Sequence, residues 1–173
     1  MKKFRSLDHV QVVAECLLNQ TFEYENYTVR PSAYGFKFVW DPKSMKRFGV
    51  CEYKRSNIKL SKKLVGSNLE YNPDKIVDTI LHEIAHAIEW ILFRSAGHSY
   101  RWKSIASTIG CDAKQYYDYA QIKAPKSKYT LICHSCNRHR AISRKLSRSY
   151  SCSKCGVKGV YDPKYKMELV QNY

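Results

Sequence analysis

Two groups of residues have the types and spacing to hold metal ions. The first is His82-Glu83-Ile84-Ala85-His86. Around it Ile76, Val77, Ile80, Leu81, Ile84, Ala85 and Ile88 recur at helical spacing, so the segment reads as a largely buried helix. Side chains four apart share a helix face, and the imidazoles of His82 and His86 can converge on one ion at Zn–N distances of about 2.0–2.1 Å. Glu83 projects about 100° round from His82, where a carboxylate can serve a zinc-activated water without competing as a ligand. Zinc lowers the pKa of such a water toward about 7; Glu83, as general base and acid, takes its proton and later passes it to a leaving amine. A third ligand is required, with the fourth position open. His98, after a reversal through Gly97, is the expected one, and Glu89 is the alternative, either as ligand or as acceptor for an imidazole N–H. The competing reading is a core helix that carries two His and a Glu by chance. Burying three polar side chains without partners is destabilising, whereas one ion satisfies them together.

The second group is Cys133-x2-Cys136 and Cys152-x2-Cys155, separated by fifteen residues. This is the spacing of a closed four-thiolate zinc site, and the segment is too small and polar to fold on an apolar core alone. His134 and His139 lie beside the first knuckle and read as surface residues. Around the knuckles are Arg138, Arg140, Arg144, Lys145, Arg148, Lys154 and Lys158, interleaved with Tyr129, Tyr150, Tyr161 and Tyr165. Cations that neutralise phosphates beside rings that stack on bases fit single-stranded or distorted DNA. The simpler alternative is a solvated basic surface. The remaining cysteines, Cys16, Cys51 and Cys111, show no ligand spacing and read as small core residues.

The elements that must position these groups follow from pattern and composition. Helices are expected over about Leu7–Gln20, Pro73–Arg94 and Tyr100–Ile109, with extended segments over Tyr34–Trp40, Phe48–Glu52 and Asn57–Leu60. Asn72-Pro73-Asp74 is a helix start, with Pro at the first helical position and an acid at the positive end of the dipole. A boundary is expected at Ala124-Pro125-Lys126-Ser127-Lys128, giving a metalloprotease domain over 1–125 and a basic zinc ribbon with a short tail over 126–173.

The chain has 173 residues and a net charge of +15, from 30 Lys plus Arg against 15 Asp plus Glu. Residues 114–173 hold thirteen of the cations and three of the acids, a net of +10. Such an excess favours a polyanionic partner, nucleic acid before membrane surface. With 44% apolar residues the chain is not disordered throughout. The most hydrophobic stretch, 76–93, is interrupted by Asp78, His82, Glu83, His86 and Glu89, which excludes a spanning helix there. Asp8, His9, Gln11 and Glu15 interrupt what would be the apolar core of a signal peptide, so an intracellular protein, cytoplasmic or DNA-associated, is expected. The seven cysteines, an odd number, then read as thiols or ligands rather than disulfides.

Taken in order, Phe48-Gly49-Val50-Cys51, Ile58-Lys59-Leu60-Ser61, His82-Glu83-Ile84-Ala85-His86, Gly97-His98 with Trp102, and the four cysteines resemble the SprT-like zinc metalloproteases, which include the Spartan proteases that degrade proteins crosslinked to DNA. A metzincin would instead carry Gly at position 89 and His at position 92, where this chain has Glu89 and Leu92. The resemblance implies a compact α+β zincin-like domain, with His82, His86 and His98 on a catalytic zinc and Glu83 as general base and acid. It also implies a second, structural zinc in the C-terminal ribbon. Ser99 departs from the family, many of whose members have a second Gly there. Together these readings predict a monomeric zinc endopeptidase of low sequence specificity acting on DNA-bound proteins, with DNA touching both modules. The alternative is a regulatory nucleic-acid-binding zinc protein whose HExxH site is structural or degenerate. Tyr100 and Arg101 are the sequence-adjacent candidates for an additional oxyanion donor.

Overall fold

The structure is a computed structural model that describes residues 4–114 and 122–172. The chain divides into two compact units, Met1–Pro125 and Lys126–Tyr173. In the first unit, helix α1 (Leu7–Asn19) starts at Ser6, whose Oγ accepts from the His9 amide at 3.2 Å. The helix buries Val10, Ala14 and Leu18, a four-residue repeat that forms one stripe. Strands β1 (Phe22–Tyr24) and β2 (Tyr27–Val29) form a tight antiparallel hairpin. A 3-10 turn over Pro31–Tyr34 follows, closed by Gly35 in the left-handed region at φ 82°. Strands β3 (Lys37–Asp41), β4 (Gly49–Glu52) and β5 (Asn57–Ser61) make a sheet of order β3-β5-β4, parallel between β3 and β5 and antiparallel between β5 and β4. Central β5 buries Ile58 and Leu60 completely, while β4 lies at an edge. Ser61 ends β5 and caps the short helix α2 (Lys62–Asn68).

Helix α3 (Pro73–Phe93) is the spine of this unit and packs against α1, α2, α4 (Tyr100–Thr108), β4 and β5. Asn72 caps it through the Lys75 amide at 3.1 Å, and Pro73 stands at its first position. Because neighbours enclose its middle, every residue from His82 to Glu89 is buried.

The chain thus folds as an α+β protein, with four helices and three small sheets among the described residues. The expected helices and strands are present, with ends shifted by one to three residues. Tyr34, expected as extended, instead closes the turn that begins at Pro31. The hairpin and α2 were not expected from sequence. Cys16 is a correction: it is exposed, because it lies on the far side of α1 from Ala14 and Leu18. Cys51 and Cys111 are buried as expected.

The second unit is a three-stranded antiparallel sheet of β6 (Tyr129–Cys133), β7 (Arg138–Ile142) and β8 (Glu168–Gln171) in the order β7-β6-β8. Its buried apolar set among the described residues is small: Tyr129, Leu131, Cys133, Cys152 and Met167. Among the described residues no helix is long and apolar enough to cross a membrane.

Candidate metal centres

His82 and His86 point from adjacent turns of α3 toward His98, which arrives on the loop after the helix. That loop begins at Arg94 with φ 53° and turns again at Gly97 with φ 104°. The Nε2 atom of His98 lies 3.0 Å from His82 Nε2 and 3.2 Å from His86 Nε2. A tetrahedral ion with Zn–N bonds of about 2.0–2.1 Å places its nitrogens about 3.3–3.4 Å apart, so the triangle fits zinc. Burial drives the His82 pKa down to about 4 and that of His86 to about 3, and it lowers that of His98 as well. All three are therefore neutral near pH 7, the form that binds metal.

The walls of this cluster come from Trp102, which the resemblance placed with His98, and from Tyr53, which the sequence did not connect to it. Trp102, fully buried on α4, lies with its ring 4.7, 5.0 and 4.5 Å from those of His82, His86 and His98. Tyr53, just after β4, places its hydroxyl 3.4 Å from His86 Nδ1 and also accepts from the Gly97 amide. With His86 Nε2 facing the other imidazoles, its Nδ1 carries the proton and donates to Tyr53 Oη. Burial pushes the Tyr53 pKa up to about 12, so the phenol stays neutral.

Glu83 is buried between α3 and β4. The strand lies so close that a Cβ at Gly49 would sit 2.7 Å from Glu83 Oε1 and 2.8 Å from Thr79 Cγ2, so only glycine fits. The Cys51 amide donates to the carboxylate, and burial outweighs it, raising the Glu83 pKa to about 8. A cation held beside it would favour the ionised form. Glu89 takes a different role from the ligand considered for it. It is fully buried, accepts from Ser99 Oγ at 2.6 Å and is not one of the three converging ligands. Ser99 Oγ also accepts from the Trp102 amide at 3.1 Å and so caps α4. Tyr100 is 88% exposed and Arg101 stacks on Phe93 at 4.3 Å, so neither is aimed at the cluster as an oxyanion donor.

A model of the SprT-like family matches residues 17–124, more than half of the chain. The chain belongs to the SprT-like family. No curated protein and no solved structure matches it. SprT-like proteins are zinc metalloproteases as a family. The match spans the sheet, α3 and the His98 loop of this SprT-like chain and stops before the cysteine-bearing unit.

In that unit the four cysteine sulfurs converge: Cys133 Sγ is 3.9 Å from Cys155 Sγ, and Cys136 Sγ is 3.7 Å from Cys152 Sγ. The edge of a tetrahedron with Zn–S bonds of about 2.3 Å is about 3.8 Å, so this cluster also fits zinc. The Lys154 amide, first among several donors, lowers the Cys152 pKa to about 6, toward the thiolate a metal needs. Arg138, Arg140, Arg144, Lys145, Arg148, Tyr150, Lys154 and Lys158 are all exposed. Arg140, Arg144 and Tyr150 line one pocket of about 390 Å³, and Arg148 and Tyr150 share a second of about 270 Å³ with Tyr161. Lys145, Lys154 and Lys158 line neither. Tyr129, counted from sequence among the interleaved rings, is buried on the central strand and offers no stacking face.

Proposed function

We propose that this protein is a zinc-dependent endopeptidase of low sequence specificity that cleaves proteins bound or crosslinked to DNA, with the basic ribbon engaging the nucleic acid. The observation that carries the catalytic part is the three-nitrogen triangle, with Glu83 next to His82 on the same helix and its carboxylate fixed by Gly49 and the Cys51 amide. His82, His86 and His98 would hold the zinc, and the four cysteines a second ion with no open position. A bound catalytic zinc supplies Lewis acidity, polarising a peptide carbonyl and lowering the pKa of a water toward about 7. Glu83 accepts the proton released in the attack and returns it to the departing amine. Its carboxylate has one fixed approach, set by the bare backbone of Gly49 and the Cys51 amide. Glu89 does not compete for this role, because Ser99 holds it away from the cluster. β4 lies at the edge of its sheet, beside Glu83, and an extended peptide added along such an edge is recognised by main chain rather than by side-chain sequence. The support for DNA is the ribbon's exposed cations around two pockets that share Tyr150.

The test is cleavage of a DNA-bound protein by wild type and Glu83→Gln, with and without single- and double-stranded DNA. Glu83→Gln is expected to lose about 10²–10⁴-fold in rate with two zinc ions per chain retained. Wild-type rate in that variant would refute the assignment of Glu83. A wild-type rate indifferent to DNA would refute the nucleic-acid part, and one tightly held zinc per chain with no cleavage would favour a binding factor.

A further inference from the structure

The loop that carries His98 is bracketed by two arginines, and each lies on an aromatic ring of the metal helix. The guanidinium carbon of Arg94 is 5.7 Å from the centre of the Trp90 ring, and that of Arg101 is 4.3 Å from the centre of Phe93. Trp90 stands four residues beyond His86 and Phe93 three beyond Trp90, so the three follow one another along a single face of α3. Tyr53 spans the first step, with its ring 6.3 Å from that of His86 and 5.0 Å from that of Trp90. A continuous strip therefore leads from a metal ligand to two guanidinium groups.

Both arginines are exposed, and among the described residues no carboxylate lies within 4.0 Å of either. An arginine held flat on a ring has already given up much of its rotamer freedom, and its N–H edge remains available to an oxyanion. Arg94 adds an independent sign. It ends α3 in the left-handed region, where glycine is favoured and a side chain costs free energy, so the fold retains a cation at a position that stability alone would give to glycine. Residues 94–111 contain Arg94, Arg101 and Lys103 and no acid, a run of one sign that matches a repeating anion better than one acidic side chain. Tyr100, 88% exposed next to Arg101, offers a ring on which a base can stack.

We propose that Arg94 and Arg101 form a phosphate-binding site on the protease unit itself, which holds a nucleic-acid strand beside the His82, His86 and His98 cluster. This rests on the proposed action on DNA-bound proteins and adds a strand contact separate from the ribbon.

The test uses the full chain loaded with zinc and a labelled oligothymidylate, titrated over a series of NaCl concentrations. Arg94→Gln/Arg101→Gln keeps a polar, unbranched side chain and removes both charges. Loss of two single-strand phosphate contacts makes the slope of log K against log salt shallower by about 1.4. The ratio of cleavage with the oligonucleotide to cleavage without it is expected to fall several-fold. Arg94→Lys/Arg101→Lys, which keeps the charges, retains the wild-type slope and guards against a folding defect in the first variant. If wild type binds with a salt-dependent affinity and the Gln variant matches its slope and its stimulation, the site is refuted while the ribbon contact stands. If the Gln variant instead loses cleavage of acidic peptides with its DNA slope unchanged, the pair serves the protein substrate and the proposal falls. Wild type without salt-dependent binding would refute both this site and the broader reading.

Discussion

At Tyr53 a single hydroxyl meets both segments that bring the three histidines together: His86 of the helix, through Nδ1, and the loop of His98, through the Gly97 amide. Tyr53→Phe keeps the ring on Trp90 but leaves the His86 N–H without its acceptor. Partners of this kind are worth about 10–100-fold in metal affinity or activity. Competition between the protein and a chromophoric chelator is expected to show that loss at the catalytic ion, with the ribbon ion unaffected; unchanged competition would deny Tyr53 a positioning role. At this scale the sequence was legible wherever spacing alone dictates geometry. His82 and His86 are four apart on a helix, and the cysteines come as two tight pairs. Tyr53 was not legible as part of the site, and Gly49 and Trp102 entered only through the family resemblance, without a role. What joins them to it is the approach of β4 and α4 to α3, and no local pattern in the sequence encodes that distance.

Among the elements, the link between α3 and α4 rests on Ser99, where the sequence resemblance leads one to expect a second Gly. Its hydroxyl caps α4 and also gives the fully buried Glu89 the hydrogen bond it has among the described residues, while Glu89 Oε2 has no partner there. Replacing a serine cap by glycine alone costs only a few tenths of a kcal/mol. Ser99→Gly is nevertheless expected to cost about 1–3 kcal/mol, because a buried carboxylate loses its donor. In a Glu89→Met background the same change should cost only the cap, and chemical denaturation of the four variants measures the difference. Equal costs in both backgrounds would show that the two residues are not coupled. The helices that bear the site were readable because long apolar periodicity and a Pro-led start leave few alternatives. The β1–β2 hairpin and α2 were missed because strands of three residues and a helix of seven carry too short a pattern, and both are held by tertiary packing.

For the whole molecule, the two units depend on metal in different ways. The protease unit buries an extensive apolar core that includes Ile58, Ile76, Ile80, Ile84, Ile88 and Ile105, all inaccessible to solvent, so removing its ion strips a site from a folded body. Among the described residues the ribbon buries five side chains, Tyr129, Leu131, Cys133, Cys152 and Met167, two of them cysteine ligands, and that is too little to offset the entropy of ordering almost fifty residues. Four thiolates and one Zn2+ also change the ribbon's formal charge by −2, while a Zn2+ on neutral imidazoles adds +2 to the protease unit, so metal loading shifts positive charge toward the active-site side of the sequence. Without its ion the ribbon would carry four thiols, or mutually repelling thiolates, in place of a closed site. Exhaustive chelation is therefore expected to expose residues 126–173 to limited proteolysis while a fragment close to 1–125 survives. All three tryptophans, Trp40, Trp90 and Trp102, lie in the protease unit. A cooperative thermal transition in tryptophan fluorescence should thus persist in the chelated protein, together with loss of the salt-dependent DNA binding proposed for the ribbon. Simultaneous digestion of both units, or a ribbon that resists protease without metal, would show that the four cysteines do not serve as its staple.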